Sequence, residues 1–232
     1  SDEESGFRCV KRYFEKEEMP TIGFAPDADF PLINAEKGIA NIEFTLINHM
    51  QESEQLISFQ AGKRTNMVPD HAEAVVENVN SEVIQNFQNF VEKNNSDGTI
   101  IKDGNQYIIT LKGKSAHAME PEKGKNAAVL LSKFLLDQLN SGAGQEFIRF
   151  IVQSFDNDHY GNALKLDFED EASGKTTLNP GVVKFDRKNG GSVQVSMRYS
   201  VSYPFDEKIT KAQLELCNSS FTLDILSNSK PH

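Results

Sequence analysis

Residues 107–139 leave this chain few folding choices. Tyr107-Ile108-Ile109-Thr110-Leu111 is rich in β-branched and aromatic residues, Gly113 interrupts it, and Pro121 suits the first turn of a helix. Apolar positions then recur at helical spacing from Ala127 through Leu139, which predicts a helix over roughly 122–140. A strand, a tight loop and a helix follow one another. The loop, Gly113-Lys114-Ser115-Ala116-His117-Ala118-Met119-Glu120-Pro121, holds one histidine among neighbours too small to bury it. An imidazole fixed there could donate a hydrogen bond to an oxygen that gains charge during a reaction. On this loop alone, an exposed histidine with no task is the simpler reading.

The same mixture of periods recurs along the chain. Ile42, Phe44 and Leu46 alternate with Glu43 and Thr45, as one strand with two unlike faces. Further strands are expected at 56–59, 67–76, 163–169, 176–186, 192–200 and 221–226. Thr99–Lys102 and Gln106–Leu111 are expected to form a hairpin about Asp103-Gly104. Helices are expected over 5–19, after Asn80-Ser81, through Phe147–Phe155, and from Asp206 to about Cys217. The order strand, strand, helix, strand occurs twice, over 56–102 and 176–227. That repetition predicts an α+β protein with two ferredoxin-like subdomains in tandem. The boundaries expected are 1–34 for a separate flank, 35–142 for the first half and 143–232 for the second.

Composition narrows the partners. The 232 residues are 38% hydrophobic and 25% charged, which suits a folded chain. A net charge of -10 without a large Lys/Arg cluster argues against nucleic acid or an anionic membrane. No apolar run approaches bilayer length and no signal peptide heads the sequence. Cys9 and Cys217 lie far apart without metal-knuckle spacing, so a reduced, cytoplasmic setting is expected. Ser1-Asp2-Glu3-Glu4 and Ser229-Lys230-Pro231-His232 read as cut points within something longer.

Few other side chains could do chemistry. Arg198 follows Val193, Val195 and Met197 in a strand whose other face carries Gln194, Ser196 and Arg198. A guanidinium there can grip a carboxylate through parallel hydrogen bonds, or stand as an ordinary sheet-face arginine. Asn66 enters a strand from a turn, where it either satisfies its own backbone or holds a substrate oxygen. Glu3, Glu4 and Asp27 offer carboxylates of the kind that bind zinc or manganese, or that accept a proton from metal-bound water. His49, His71, His159 and His232 show no HExxH or His-x-Asp spacing, so the metal set is incomplete by its own inventory.

Taken together, these stretches resemble the bacterial Xaa-His dipeptidases, the carnosinase-like peptidase V group of two-zinc metallopeptidases. The resemblance is carried by Asp2-Glu3-Glu4-Ser5-Gly6, Gly23-Phe24-Ala25-Pro26-Asp27-Ala28-Asp29-Phe30-Pro31, Asn66-Met67-Val68-Pro69-Asp70-His71-Ala72, Gly113-Lys114-Ser115-Ala116-His117 and Met197-Arg198-Tyr199. It implies a lid domain with a short flank of the catalytic domain. By that pattern Glu3 is the general base, and Glu4 and Asp27 each bind one zinc. His117 stabilises the tetrahedral intermediate, and Asn66 and Arg198 bind the dipeptide, Arg198 through its carboxylate. The remaining zinc ligands would come from the rest of the catalytic domain, so the chain alone is expected to be inactive. The competing reading is an independent ferredoxin-like binding or dimerisation module, on whose surface Asn66, His117 and Arg198 scatter. A complete one-metal hydrolase is a third.

Overall fold

The computed structural model describes residues 8–23, 33–47, 55–217 and 219–232, and the chain forms two units, 1–34 and 35–232. The first unit contains α1 (Arg8–Phe14), a short helix with no buried residue. It ends at Phe14, before residue 19 where the sequence suggests, while residues 5–7 of the expected span lie outside the described residues. Val10 and Phe14 repeat at helical spacing but stay exposed, so no packed stripe extends the helix beyond its first turns.

The second unit is α+β. Its sheet has eight strands, namely β1 (Gly38–Leu46), β2 (Leu56–Ala61), β3 (His71–Glu77), β4 (Asp97–Asp103), β5 (Gln106–Lys112), β8 (Thr177–Asp186), β9 (Gly190–Tyr199) and β10 (Phe221–Ser229). A separate short ladder joins β6 (Glu169–Asp170) to β7 (Gly174–Lys175). Among the described residues this unit has four α-helices, namely α2 (Val83–Lys93), α3 (Ala127–Leu136), α4 (Ala143–Phe155) and α5 (Phe205–Leu216). The spatial order of the sheet is β10-β1-β9-β8-β2-β3-β5-β4, with every ladder antiparallel.

Two four-stranded halves meet where β2 pairs with β8, from Ser58↔Asp186 to Ala61↔Val183. One continuous sheet therefore replaces the two that the sequence suggests. The pairing satisfies two edges that separate sheets would leave open. The halves also divide differently from 35–142 and 143–232, because β1 lies between β9 and β10. Alternation in β1 marks it as a strand but cannot name partners some 150 residues away in sequence. In one half, β1, α4, β8, β9, α5 and β10 occur in chain order; in the other, β3, α2, β4, β5 and α3 occur, with β2 beside β3.

One face of this sheet is apolar across its central strands. Ala40, Ile42, Phe44 and Leu46 of β1 are buried while the residues between them are partly exposed. They join Val193, Val195 and Met197 of β9 and the apolar sides of α2 to α5 in a single core. Phe150 stacks on Phe221 at 4.0 Å between ring centroids, and Phe87 meets Phe134 edge-on at 5.1 Å. The fully buried rings among these, Phe87, Phe134 and Phe221, each contribute roughly 1.5–3 kcal/mol by leaving water.

Local chemistry decides several boundaries. The third helix begins at Ala127, not 122, because the Asn126 side chain accepts from the Ala128 and Val129 amides. Pro121–Lys123 before it is a single 3₁₀ turn. The second helix starts at Val83, and Asn80 serves the turn ahead of it by accepting from the Glu82 amide at 3.0 Å. Asp206 falls in the first turn of α5 rather than at its cap, which is Pro204. The hairpin turn centres on Gly104-Asn105, since Asp103 pairs with Gln106. Residues 163–168 are not a strand. Asp158 accepts from the backbone amides of Tyr160, Gly161 and Ala163, so this segment satisfies itself locally while Leu166 plugs the core.

Candidate functional site

The face of the sheet away from the helices carries polar residues, and three loops or strand ends converge on one stretch of it. The first loop connects β2 to β3 and contains Asn66. The second follows β5 and contains His117. The third position is Arg198, near the end of β9.

Backbone hydrogen bonds join the two loops. Met67 and His117 form an isolated antiparallel bridge, in which the Val68 amide donates to the Ala116 carbonyl at 2.8 Å and the Ala118 amide to the Asn66 carbonyl at 2.9 Å. The His117 loop is closed at its base by reciprocal bonds between Lys114 and Lys125, at 2.9 and 2.8 Å. Lys125 is fixed in turn, its ammonium donating to the Asn94 and Asn95 carbonyls and to Ser96 Oγ. The imidazole stays exposed. Its Nδ1 accepts from the Met119 amide at 3.2 Å, which leaves Nε2–H as the donating side of the ring. Asn66 does not spend its amide on its own turn, and its side chain makes no hydrogen bond to another described residue.

Strand β8 links these loops to Arg198. Thr177 stands directly opposite Arg198 and donates its hydroxyl to the Ala118 carbonyl at 3.3 Å. Arg198 is half-buried between Thr177 and, on its other side, Ile39 of β1. Alternation places Arg198 on the polar face as expected, but Ser196 beside it is fully covered, so that face is roofed by the loops at this point. The loops that carry Asn66 and His117 therefore meet the Arg198 end of β9 at one end of β8.

The strand ends next to Arg198 are tied down by charge. Lys37 donates to the Lys175 carbonyl at 2.5 Å; burial lowers its pKa, opposed by the negative charges of Asp170 and Glu122. Asp170 accepts from the Ser202 and Ser173 amides at 2.9 and 2.7 Å and from both hydroxyls. These bonds, led by the Ser202 amide, hold its carboxyl well below the usual carboxylate range. A depressed folded-state pKa stabilises above the unfolded value of about 4 and ceases to do so as pH falls. Asp170→Asn is expected to melt at lower temperature than the parent at pH 7, with the gap closing as pH drops below about 4. Calorimetry at both pH values tests this, and a gap independent of pH removes Asp170 from the account.

Beside Met67 and Ser115 opens a groove of about 540 Å³, whose walls include Gln60, Arg64, Pro69 and Glu73. It lies next to both loops and is large enough for an amino-acid side chain. Sequence reasoning did not find it, because its walls come from both ends of a long β2–β3 connection. Nor did it find Thr177, Asn179 or Asn126, whose roles depend on contacts 54 to 114 residues away.

Glu3, Glu4 and Asp27 lie outside the described residues, as does His49. Among the described residues, no group of three His, Cys, Asp or Glu side chains could hold a metal ion. Among them, too, no helix is long and apolar enough to cross a membrane.

The chain is similar along its whole length to proteins named as dipeptidases. It is 42% identical over 236 residues to "Putative dipeptidase YtjP" of Bacillus subtilis, covering 100% of this chain and 50% of that protein. It is 36% identical over 239 residues to a "Putative dipeptidase" of Staphylococcus epidermidis, covering 100% of this chain and 51% of the relative. The chain thus spans about half the length of these relatives. A solved aminoacylhistidine dipeptidase from Vibrio alginolyticus overlays 85% of this chain and 45% of its own, at 14% identity and a TM-score of 0.34, too loose to carry an argument. No family model matches the chain.

Proposed function

We propose that this chain is the substrate-binding lid, with a short flank of the catalytic domain, of a dipeptidase that cleaves the peptide bond of free dipeptides. The observation that carries the proposal is the convergence of Asn66, His117 and Arg198 on one end of β8, in a chain 42% identical to half of a protein named as a dipeptidase. The backbones of the Asn66 and His117 loops meet the strand end that carries Arg198, as a shared substrate site requires. Of the two four-stranded halves, β10-β1-β9-β8 has the strand order of a ferredoxin-like unit, and β2-β3-β5-β4 has it when β2 is counted as the last strand; these are the proposed subdomains of the lid.

In this reading Arg198 binds the dipeptide's carboxylate through its planar fork, which fixes the distance to the scissile bond and restricts length. Asn66 holds a substrate oxygen. The Nε2–H of His117 donates to the carbonyl oxygen as it becomes an oxyanion, and it costs little reorganisation because Met119 and the loop already orient the ring. Chemistry at the attacking water would need zinc or manganese, for which the described residues supply no complete ligand set. Glu4 and Asp27 are the proposed ligands from this chain and Glu3 the proposed base, with the others in the remainder of the catalytic domain. Lid closure brings His117 and Arg198 to that centre.

The test is a dipeptidase assay with added zinc or manganese on this chain beside the full-length protein. Hydrolysis by the full-length protein and none by the chain is expected. Turnover by the chain alone would refute the division of labour, and inactivity of both would refute the activity.

A further inference from the structure

We propose that Asn179 is a positioning residue that sets the place of Asn66. This rests on the reading of Asn66 as a substrate-binding residue. Asn179 is 1% exposed, and its side-chain nitrogen donates to the Thr65 carbonyl and to the Met67 carbonyl, each at 2.9 Å. Those carbonyls belong to the residues on either side of Asn66. A primary amide has two N–H bonds in a fixed fork, so one side chain can grip both flanks of a single loop residue. Leucine of similar volume cannot donate at all, and a carboxylate would set negative charge against two carbonyl oxygens.

The surroundings make this a clamp rather than a chance contact. Two residues further along β8, a Cβ on Gly181 would lie 2.4 Å from the Thr65 carbonyl oxygen, so loop and strand meet backbone to backbone. Gly62, at φ +70, approaches so closely that a Cβ there would fall 1.9 Å from the Gly181 carbonyl oxygen. Two residues before Asn179, Thr177 holds the His117 loop and faces Arg198. The same face of one strand thus registers all three candidate residues against each other, and Asn179 is the contact belonging to Asn66. The side-chain oxygen of Asn179 is buried and finds no hydrogen-bond partner among the described residues, so the amide is not retained for its own satisfaction.

The experiment is a double-mutant cycle in the full-length protein, with Asn66→Ala, Asn179→Ala and the double variant, each checked by thermal melting. A displacement of about 1 Å at a substrate contact can cost on the order of 10²-fold, so Asn179→Ala is expected to lower kcat/KM by roughly 10- to 100-fold. Because Asn179 acts through Asn66, the double variant should be no worse than the more impaired single variant within about twofold. Multiplying effects would overturn the proposal, since a general loss of structure does not care whether Asn66 is present. If Asn179→Ala does not fold, Asn179→Ser, which keeps one donor, is expected to show a smaller loss that is likewise absent in the Asn66→Ala background. Wild-type kinetics for Asn66→Ala would sink both the reading of Asn66 and this inference, whereas an impaired Asn66→Ala with an additive Asn179→Ala sinks the inference alone.

Discussion

On the proposed reading, His117→Ala in the full-length protein is expected to lower kcat by roughly 10²–10³ and to leave KM and melting temperature nearly unchanged. The size follows from the role. A donor aimed at an oxygen that becomes charged only in the transition state contributes little to ground-state binding, so its loss falls on kcat. Stability should hold because the ring is exposed and the loop does not depend on it. The loop is held by the Ala116 and Asn66 carbonyls, by the Lys114–Lys125 bonds and by Thr177. Truncation removes one acceptor, Nδ1, from the Met119 amide, and water can replace it at that surface. His117→Gln keeps an N–H donor on a different reach and is expected to recover part of the loss. Steady-state kinetics on a dipeptide decides the matter: a kcat within about threefold of the parent removes His117 from the reaction, and an equal rise in KM makes it a ground-state contact instead.

What the sequence reveals about this fold is whatever depends on neighbours. Alternation at 42–46 and 193–198 places the inward and outward residues of β1 and β9 correctly. The repeated order of strand, strand, helix and strand matches β2, β3, α2, β4 and β8, β9, α5, β10. Pairing between distant strands left no such trace. Nothing in Gly38–Leu46 announces that it lies between β9 and β10, or that β2 and β8 fuse the halves into one sheet. The apolar alternation at 164, 166 and 168 mimics a strand because the core needs the same residues there, while Asp158 supplies the backbone partners. The candidate site divides in the same way. His117 and Arg198 stand out by type and local setting, whereas Thr177 and Asn179 look like ordinary strand residues until the loops fold back on them. A buried polar residue in a strand is legible as functional only once its distant partner is known.

Arg198 should govern which end of a peptide the protein reads. Arg198→Leu is expected to lower kcat/KM for free dipeptides by roughly 10²–10³, from the loss of charge-assisted hydrogen bonds to a carboxylate in a partly covered site. Leucine suits a strand position between Ile39 and Thr177, so the sheet should tolerate it. The diagnostic quantity is a ratio. The parent should prefer a free dipeptide over its C-terminal amide strongly, and Arg198→Leu should bring the two near equality, because the amide never used the guanidinium. Arg198→Lys keeps the charge but loses the fork, so its preference should fall between the two. This pattern separates carboxylate recognition from a structural role: damage to β9 would depress both substrates alike and leave their ratio where it was. If Arg198→Leu retains the full preference for the free carboxylate, some other cation measures the peptide, and the assignment of this end of β8 as the carboxylate end fails.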